Sequence, residues 1–162
     1  MNQSKHLKAS LEDVATWMSD SRLKLNGGKT EVMIVGNNLT SWTPDCWPDS
    51  LDPLPPLKNL VKDLGVWMDF TLSFEPQVCK LSACSFGLLR SIRKTIPILP
   101  QQAQKTLVQA LVTSCLDYGN ILYLGATQRV TKRLQVVQNA AARLPLNLPK
   151  SNSVTSGLKS LH

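Results

Sequence analysis

The sequence predicts an α+β protein in which one helix and short strands precede a helical bundle. Apolar residues recur at the 3.6-residue period in four stretches, one before residue 21 and three after residue 73. Short runs with strand character lie between them, at residues 31–36 and 60–69. Apolar residues make up 43% of the chain, which favours a folded protein. We therefore divide the chain into a first region at 1–70, a helical domain at 71–149 and a loose tail at 150–162.

The first region begins with a predicted helix at residues 10–20. Its apolar residues at i, i+3, i+4 and i+7 are Leu11, Val14, Ala15 and Met18. Ser10 fits the N-cap, because a serine side chain can accept a hydrogen bond from the first-turn amides, and Glu12 and Asp13 suit the first turn. A short extended piece and a glycine turn at 23–30 lead to a strand at 31–36. Prolines make 37–56 a loop, and a second strand at 60–69 contains Gly65, which marks a bulge or the close approach of another backbone.

Three helices are predicted in the second region. The first, of roughly twenty residues, ends before Pro97 and Pro100, and its apolar face consists of Phe74, Val78, Leu81, Ser85, Leu88, Leu89 and Ile92. The second, at 102–123, is apolar on most sides, so we expect it to be buried between the others. The third, at 128–144, is stopped by Pro145 and Pro149, and its stripe is Val130, Leu134, Val137, Ala141 and Leu144.

The predicted central helix of this region has an apolar face that includes Leu107. At the helical period this face also holds Ala103, Leu111, Ser114, Tyr118 and Ile121. We interpret Asp117 and Tyr118, at the end of the helix, as a structural hydrogen-bonding pair. The four tryptophans are able to stack on bases, but roles in the core or in anchoring loops are favoured for Trp17, Trp42, Trp47 and Trp67.

Composition excludes several classes of function. No apolar run approaches the roughly 20 residues that a membrane helix needs, and the N-terminus carries no secretory signal. We therefore expect an intracellular protein of the nucleus or cytoplasm, with no membrane partner. The four cysteines form no Cys-x-x-Cys pair and the chain has two histidines, so we expect neither a zinc site nor a cofactor. Cys84 and Cys115 are predicted in core positions.

The net charge of +7 is concentrated in the helical region. Residues 1–73 carry 7 basic and 9 acidic residues, whereas residues 74–150 carry 10 basic and 2 acidic residues. Such a basic domain favours a polyanionic partner, nucleic acid ahead of a membrane, with a merely solvated surface as the alternative. The candidate phosphate-binding residues are Arg129, Lys132, Arg133 and Arg143 on one arc of the last helix, and Arg90, Arg93 and Lys94 on the first.

Five sequence blocks, in a fixed order, carry a resemblance to a known family. They are Trp-Met at 17–18 with Leu-Lys-Leu-Asn at 23–26 and Lys-Thr-Glu at 29–31, Val-Lys-Asp-Leu-Gly-Val at 61–66 with Asp69, Leu-Asp-Tyr-Gly-Asn at 116–120, Leu-Gln-Val-Val-Gln-Asn-Ala-Ala-Ala-Arg at 134–143, and Val-Thr-Ser-Gly-Leu-Lys-Ser-Leu-His at 154–162. Together they resemble the reverse transcriptase, an RNA-directed DNA polymerase, of non-LTR retrotransposons of the LINE type, similar to jockey elements. The resemblance covers nearly the whole chain, least clearly residues 37–56.

The resemblance implies the last part of a polymerase palm at 1–70, with short antiparallel strands at its edge, and a thumb-like bundle at 71–149. In the family, the Leu-Asn-x-x-Lys-Thr block lies near the incoming nucleotide, and its lysine, matched here by Lys29, is the candidate general acid toward pyrophosphate. Leu64 and Gly65 match the hairpin that positions the primer end. The thumb would hold the minor groove and phosphates of the template–primer duplex.

The same resemblance implies that the chain by itself is no enzyme. Nucleotidyl transfer needs two metal ions held by carboxylates. The family supplies these from an early palm strand and an aromatic-Ala-Asp-Asp hairpin, both expected upstream of residue 1. Glu12 and Asp13 fit the first turn of a helix better than a metal site. We therefore expect no catalytic residue, no metal and no polymerase activity, and we expect Lys29 to be an ordinary turn lysine.

Three functional hypotheses remain. The first is a catalytically incomplete, truncated reverse-transcriptase fragment that retains sequence-independent binding of an RNA or DNA duplex by its basic helical half. The second is a protein-interaction module, whose partner covers exposed apolar surface. The third is a translated relic of a transposable element with no function of its own. Binding that weakens steeply with salt separates the first hypothesis from the others.

Overall fold

The computed structural model describes residues 3–36, 55–149 and 153–154 and confirms the α+β class. In the described residues, one helix and a two-stranded hairpin precede a set of packed helices. The chain divides into two compact units. We call Met1–Asp63 with Met68–Leu72 the N-terminal unit, and Leu64–Trp67 with Ser73–His162 the helical unit.

Helix α1 of the N-terminal unit spans Gln3–Asp20 and starts well before the predicted residue 10. Ser10 therefore lies inside the helix, and the prediction that it is the N-cap is wrong. The apolar stripe is only half-buried at Leu11 and Met18, and Val14 is exposed. Trp17 is 63% exposed, so the core role favoured for it is also wrong. Trp42 and Trp47 lie outside the described residues.

The predicted strand at residues 31–36 is not formed. Val32 makes an isolated parallel bridge with Leu57, and its carbonyl accepts a bond from the Lys58 amide at 2.8 Å. The Gly36 amide instead donates to the Phe70 carbonyl at 3.0 Å. A strand needs one continuous partner, whereas this segment divides its bonds between two. The glycine turn before it is present as a 3-10 turn, Gly27–Lys29. Most of the predicted loop, residues 37–54, lies outside the described residues.

A hairpin replaces the single strand predicted at residues 60–69. Its strands are β1, Leu60–Asp63, and β2, Val66–Asp69, which pair antiparallel. Leu64 and Gly65 form the loop with φ of 44° and 91°, both in the left-handed region. Positive φ at both positions is the pattern of a two-residue type I′ turn, which glycine adopts without steric cost. Gly65 is therefore a turn residue and not a bulge.

The helical unit contains α2 at Glu75–Thr95, α3 at Gln101–Val108, α4 at Ser114–Asp117 and α5 at Gln128–Leu146. A π-helical segment, Gln109–Thr113, joins α3 to α4, and a 3-10 turn, Asn120–Tyr123, follows. Helices α2 and α5 confirm the predicted first and last helices. They enclose the main core together with the α3–α4 stretch; its buried members are Leu89, Ile92, Val108, Val112, Leu116, Val137 and Ala141.

The central helix departs from its prediction in two respects. It ends at Asp117 and does not continue to residue 123, because Gly119 turns the chain with φ of 70°. Its buried face is formed by Val108, Val112 and Leu116, which follow one another at intervals of four residues and so lie on one side of the stretch. The predicted face is wrong, because its members Leu111, Tyr118 and Ile121 are exposed.

Cys84 and Cys115 were both predicted in core positions, and neither is fully buried. Cys84 lies on the exposed side of α2, so its predicted core position is wrong, and Cys115 on α4 is partly buried. Helix α2 presents small buried side chains instead, with Ser82 5% and Ser85 1% exposed. Small polar residues can occupy a helix interface when neighbouring apolar residues supply the packing.

Helix α5 extends slightly past its predicted end at residue 144. Pro145 sits inside the last turn, and Asn147 closes the helix with φ of 49°. The Leu148 amide donates to the Arg143 carbonyl at 3.2 Å, which is the bond expected at a left-handed helix end. Of the tail predicted to be loose, Val154 is described, and it is buried together with Ala142.

Candidate nucleic-acid interface

Helices α2 and α5 lie side by side and run in the same direction. Near their first turns, the Arg129 guanidinium is 3.7 Å from the Glu75 carboxylate. One turn further, Arg133 donates from Nη1 to Cys79 Sγ at 2.6 Å. Near their last turns, Arg93 and Arg143 line one groove. Four of the candidate phosphate-binding residues, Arg93, Arg129, Arg133 and Arg143, therefore lie along one helix–helix interface.

Three of these residues form a cluster on the first turns of α5, which we call the α5 basic cluster. It consists of Arg129, Lys132 and Arg133, all exposed. The side chain of Arg129 is 79% exposed, so its pairing with Glu75 is a surface ion pair. Such pairs contribute only about 0–1 kcal/mol. Arg129 can therefore exchange this partner for a phosphate at little cost.

Arg143, the fourth residue of the predicted arc, lies elsewhere. At 1.5 Å per residue it is about 15 Å further along α5 than Arg133. There it shares with Arg93 a groove of about 570 Å³ between the two helices, which we call the α2–α5 groove. The residues that line this groove are Phe86, Arg93, Ile96, Val136, Ala140, Arg143, Leu144, Asn147 and Leu148.

The basic residues at the end of α2 can stabilise the helix as well as bind a phosphate. Arg93 and Lys94 lie in the last turn of the helix, where a positive charge interacts favourably with the helix dipole. Together with Arg90 they are exposed. Arg93 and Arg143 thus both line the groove, whereas Arg90 and Lys94 are not among its lining residues.

The loop of the hairpin is fixed by a tyrosine. The Tyr118 hydroxyl donates to the Leu64 carbonyl, and the Tyr118 ring lies 3.8 Å from the position that a Cβ on Gly65 would occupy. This bond takes the place of the one predicted between Asp117 and Tyr118. Leu64 itself is 84% exposed. Sequence reasoning could not find this contact, because nothing local to residue 118 specifies a partner so far away along the chain.

A second set of contacts anchors Trp67, which is half-buried. The Trp67 amide donates to Gln77 Oε1 at 3.0 Å, and the Lys80 ammonium lies 3.1 Å from the centre of the indole ring. Lys80 was not among the predicted candidates, and it covers a face of Trp67 that a base would need for stacking. The arrangement agrees with the anchoring role favoured for this tryptophan.

Tyr123 belongs to a small core with Val78 and Val130. Its ring meets Phe74 edge to face, with centroids 6.1 Å apart. Burial raises the pKa of the Tyr123 hydroxyl above its ordinary value, and the nearby Gln77 side chain opposes part of the shift. The phenol is therefore held in its neutral form.

The N-terminal unit places Lys29 at the end of the 3-10 turn, where its side chain is exposed. The acid nearest to it in sequence, Glu31, pairs with Lys58. In residues 3–36, 55–149 and 153–154, no three His, Cys, Asp or Glu side chains are grouped so that they could hold a metal ion. Within those ranges no helix has the length and apolar character needed to cross a membrane.

These features define the class of protein by structure alone. It is an α+β chain whose helical unit carries a basic cluster on α5. A groove with a largely apolar lining and two arginines runs between the parallel helices α2 and α5. Comparison with protein-family models, with curated proteins and with solved structures finds no match for the chain.

Proposed function

We propose that the chain is a catalytically incomplete fragment of a retrotransposon reverse transcriptase and that it binds nucleic-acid duplexes without sequence preference through the α5 basic cluster. The observation that carries the binding proposal is the exposure of Arg129, Lys132 and Arg133 on consecutive turns of one helix. The surrounding region, residues 74–150, has 10 basic against 2 acidic residues. Contacts to phosphates need this kind of charge and no base-specific geometry.

The origin of the chain is supported by the ordered sequence blocks. The block at 134–143 falls on α5 itself, and the block at 116–120 falls where α4 ends and Gly119 turns the chain. The block at 61–66 falls on the hairpin, whose exposed Leu64 loop is where the resemblance expects contact with a primer end. Under this proposal α2 to α5 correspond to the thumb, and Arg90, Arg93, Lys94 and Arg143 extend the phosphate-binding surface.

The test is the affinity of the full chain for a labelled DNA duplex, measured by fluorescence anisotropy over a series of salt concentrations. We expect affinity to fall steeply with salt. The triple variant Arg129→Glu, Lys132→Glu, Arg133→Glu should abolish binding at moderate salt. Neutralising the same three residues with glutamine should make the slope of log K against log salt shallower by about 2.7, at 0.9 per phosphate contact.

A matched control separates a local site from overall charge. The variant Arg22→Glu, Lys24→Glu, Lys62→Glu changes the net charge equally at three exposed residues outside the helical unit. We expect it to bind duplex nearly as the unchanged chain does. Equal losses in the two variants, or unchanged affinity in the first, would contradict the assignment to α5. Metal-dependent primer extension by the purified chain would contradict its catalytic incompleteness.

A further inference from the structure

We propose that the α2–α5 groove binds an acidic amphipathic helix of a partner protein. This inference concerns a different surface from the α5 basic cluster, because the groove begins beyond that cluster; it shares only Arg93 and Arg143 with the extended phosphate-binding surface. It rests on three observations: the apolar floor of the groove, the charge at its edges and its length.

The floor of the groove is apolar and accessible. Phe86 from α2 and Val136 from α5 both line it, with 38% and 56% of their surfaces exposed. Ile96, Ala140 and Leu144 continue the aliphatic lining toward the helix ends. When a complementary apolar surface covers exposed apolar residues that line a concave surface, the burial makes binding more favourable.

The edges of the groove are positive. Arg93 borders it on α2 and Arg143 on α5, and its described lining contains no Asp or Glu. Arg90 and Lys94 lie close by on α2 and are exposed, so the positive field extends past the lining itself. A ligand with an apolar face flanked by carboxylates would match both features, because a carboxylate could pair with the exposed Arg93 while the apolar face fills the floor.

The length of the groove suits a helical peptide. From Phe86 to Ile96 the α2 wall is about 15 Å long at 1.5 Å per residue, which corresponds to about three turns of a docked helix. Helix-in-groove recognition uses apolar anchors at i, i+3, i+4 and i+7, which span about 10.5 Å at 1.5 Å per residue and so fit within this length.

Nucleic acid fits the groove less well. A duplex presents its phosphates outward, so it cannot fill an apolar floor. A single strand binds by stacking bases on aromatic side chains, and Phe86 is the one aromatic residue in the described lining, with aliphatic side chains opposite. The aliphatic wall therefore favours the apolar side chains of a protein.

The test uses the full chain and a labelled synthetic peptide. The peptide has leucine at i, i+3, i+4 and i+7, with glutamate at the flanking positions, and a second peptide replaces every glutamate with lysine. We expect the acidic peptide to bind at least about tenfold more tightly than the basic one, which corresponds to about 1.4 kcal/mol. Fluorescence anisotropy measures both affinities.

Two exposed groove residues allow the site to be changed without disturbing the core. Val136→Glu and Arg93→Glu should each weaken the acidic peptide at least about tenfold. Gln135→Glu is the matched control, because it adds the same charge on α5 one residue away and outside the lining, where Gln135 bonds to Asn139. Circular dichroism of each variant checks that the helices remain folded.

The outcomes decide between occupants. Unchanged affinity in the Val136→Glu variant, or preference for the lysine peptide, would overturn the proposal. Displacement of the acidic peptide by a single-stranded oligonucleotide, with loss of that oligonucleotide's binding in Val136→Glu, would assign the groove to nucleic acid and also overturn it. The Arg129, Lys132, Arg133 charge reversal should leave peptide affinity within about threefold, so the two proposals can fail separately.

Discussion

The two units of the chain differ in how much apolar surface they enclose. Every buried hydrophobic residue of the core that the structure describes belongs to the helical unit. In the N-terminal unit, α1 is amphipathic in sequence, yet Leu7 and Val14 are 45% and 47% exposed. The comparison teaches that a helical apolar period predicts the helix but not its burial, because burial depends on a partner surface.

This difference locates the stability of the protein. Burial of apolar side chains is the main favourable term in folding, and here it is supplied by α2, the α3–α4 stretch and α5. We expect the helical unit to unfold as one cooperative system. The exposed stripe of α1 should contribute little to the free energy of unfolding.

The largest difference in stability should appear between two single variants, each of which introduces one aspartate into a different unit. Val137 is fully buried between α2 and α5, so Val137→Asp should lower the free energy of unfolding by about 4 kcal/mol or more. Val14→Asp, on half-exposed α1, should change it by less than about 0.5 kcal/mol. Urea titration followed by circular dichroism measures both. Similar losses in the two variants would break the contrast between the units.

The second effect concerns where the cooperative unit begins. A fragment of residues 60–149 keeps the hairpin, whereas one of residues 71–149 loses buried Val66 and the bonds to Tyr118 and Gln77. The shorter fragment should be less stable by about 2 kcal/mol and melt about 10 °C lower. Thermal melts of both beside the full chain provide the measurement. A broad, non-cooperative melt of the longer fragment would show that the core does not suffice.

The third effect tests the strain in the hairpin loop. Leu64 holds a left-handed conformation with its side chain 84% exposed, so Leu64→Asn should stabilise the protein by about 1 kcal/mol. Leu64→Ala is the control, because it keeps a Cβ that favours other conformations and should be nearly neutral. The comparison is made by urea titration. If alanine stabilised as much as asparagine, the cause would lie in the exposed side chain and not in the backbone.

The smallest effect concerns pH. Burial raises the folded-state pKa of Tyr123 above its unfolded value, so the stability that it contributes is present below about pH 10 and is lost as the pH rises through the folded pKa. Tyr123→Phe should therefore make the alkaline decline of the free energy of unfolding less steep. Chemical denaturation at several values between about pH 9 and pH 11 gives the slopes. Parallel slopes in the two proteins would contradict this role.

The long amphipathic helices were predictable from the sequence, and the segments that depend on distant partners were not. Helices α2 and α5 each repeat their apolar period over several turns, which makes their faces unambiguous. Residues 31–36 have strand composition, but their pairing is decided by Leu57, Lys58 and Phe70. The residue pattern alone predicted one strand at 60–69, because leucine stands where a type I′ turn usually has asparagine, aspartate or glycine; only the resemblance implied a hairpin at Leu64 and Gly65.

The candidate site was predictable only in part, for a similar reason. Arg129, Lys132 and Arg133 are neighbours on one helix, so their clustering follows from local spacing. The meeting of Arg93 and Arg143 depends on α2 and α5 running in the same direction, which no local pattern specifies. The groove between them could be found only after the helices were packed.

The π-helical segment also has a meaning for how the chain could change in length. A π turn holds one residue more than the α turn that it replaces, so Gln109–Thr113 is equivalent to an α-helix that has gained a single amino acid. The core residues Val108 and Leu116 on either side of it remain buried. An insertion or deletion of one residue at this place can thus be absorbed within one turn, so related chains could differ in length here and still share the packing of their helices.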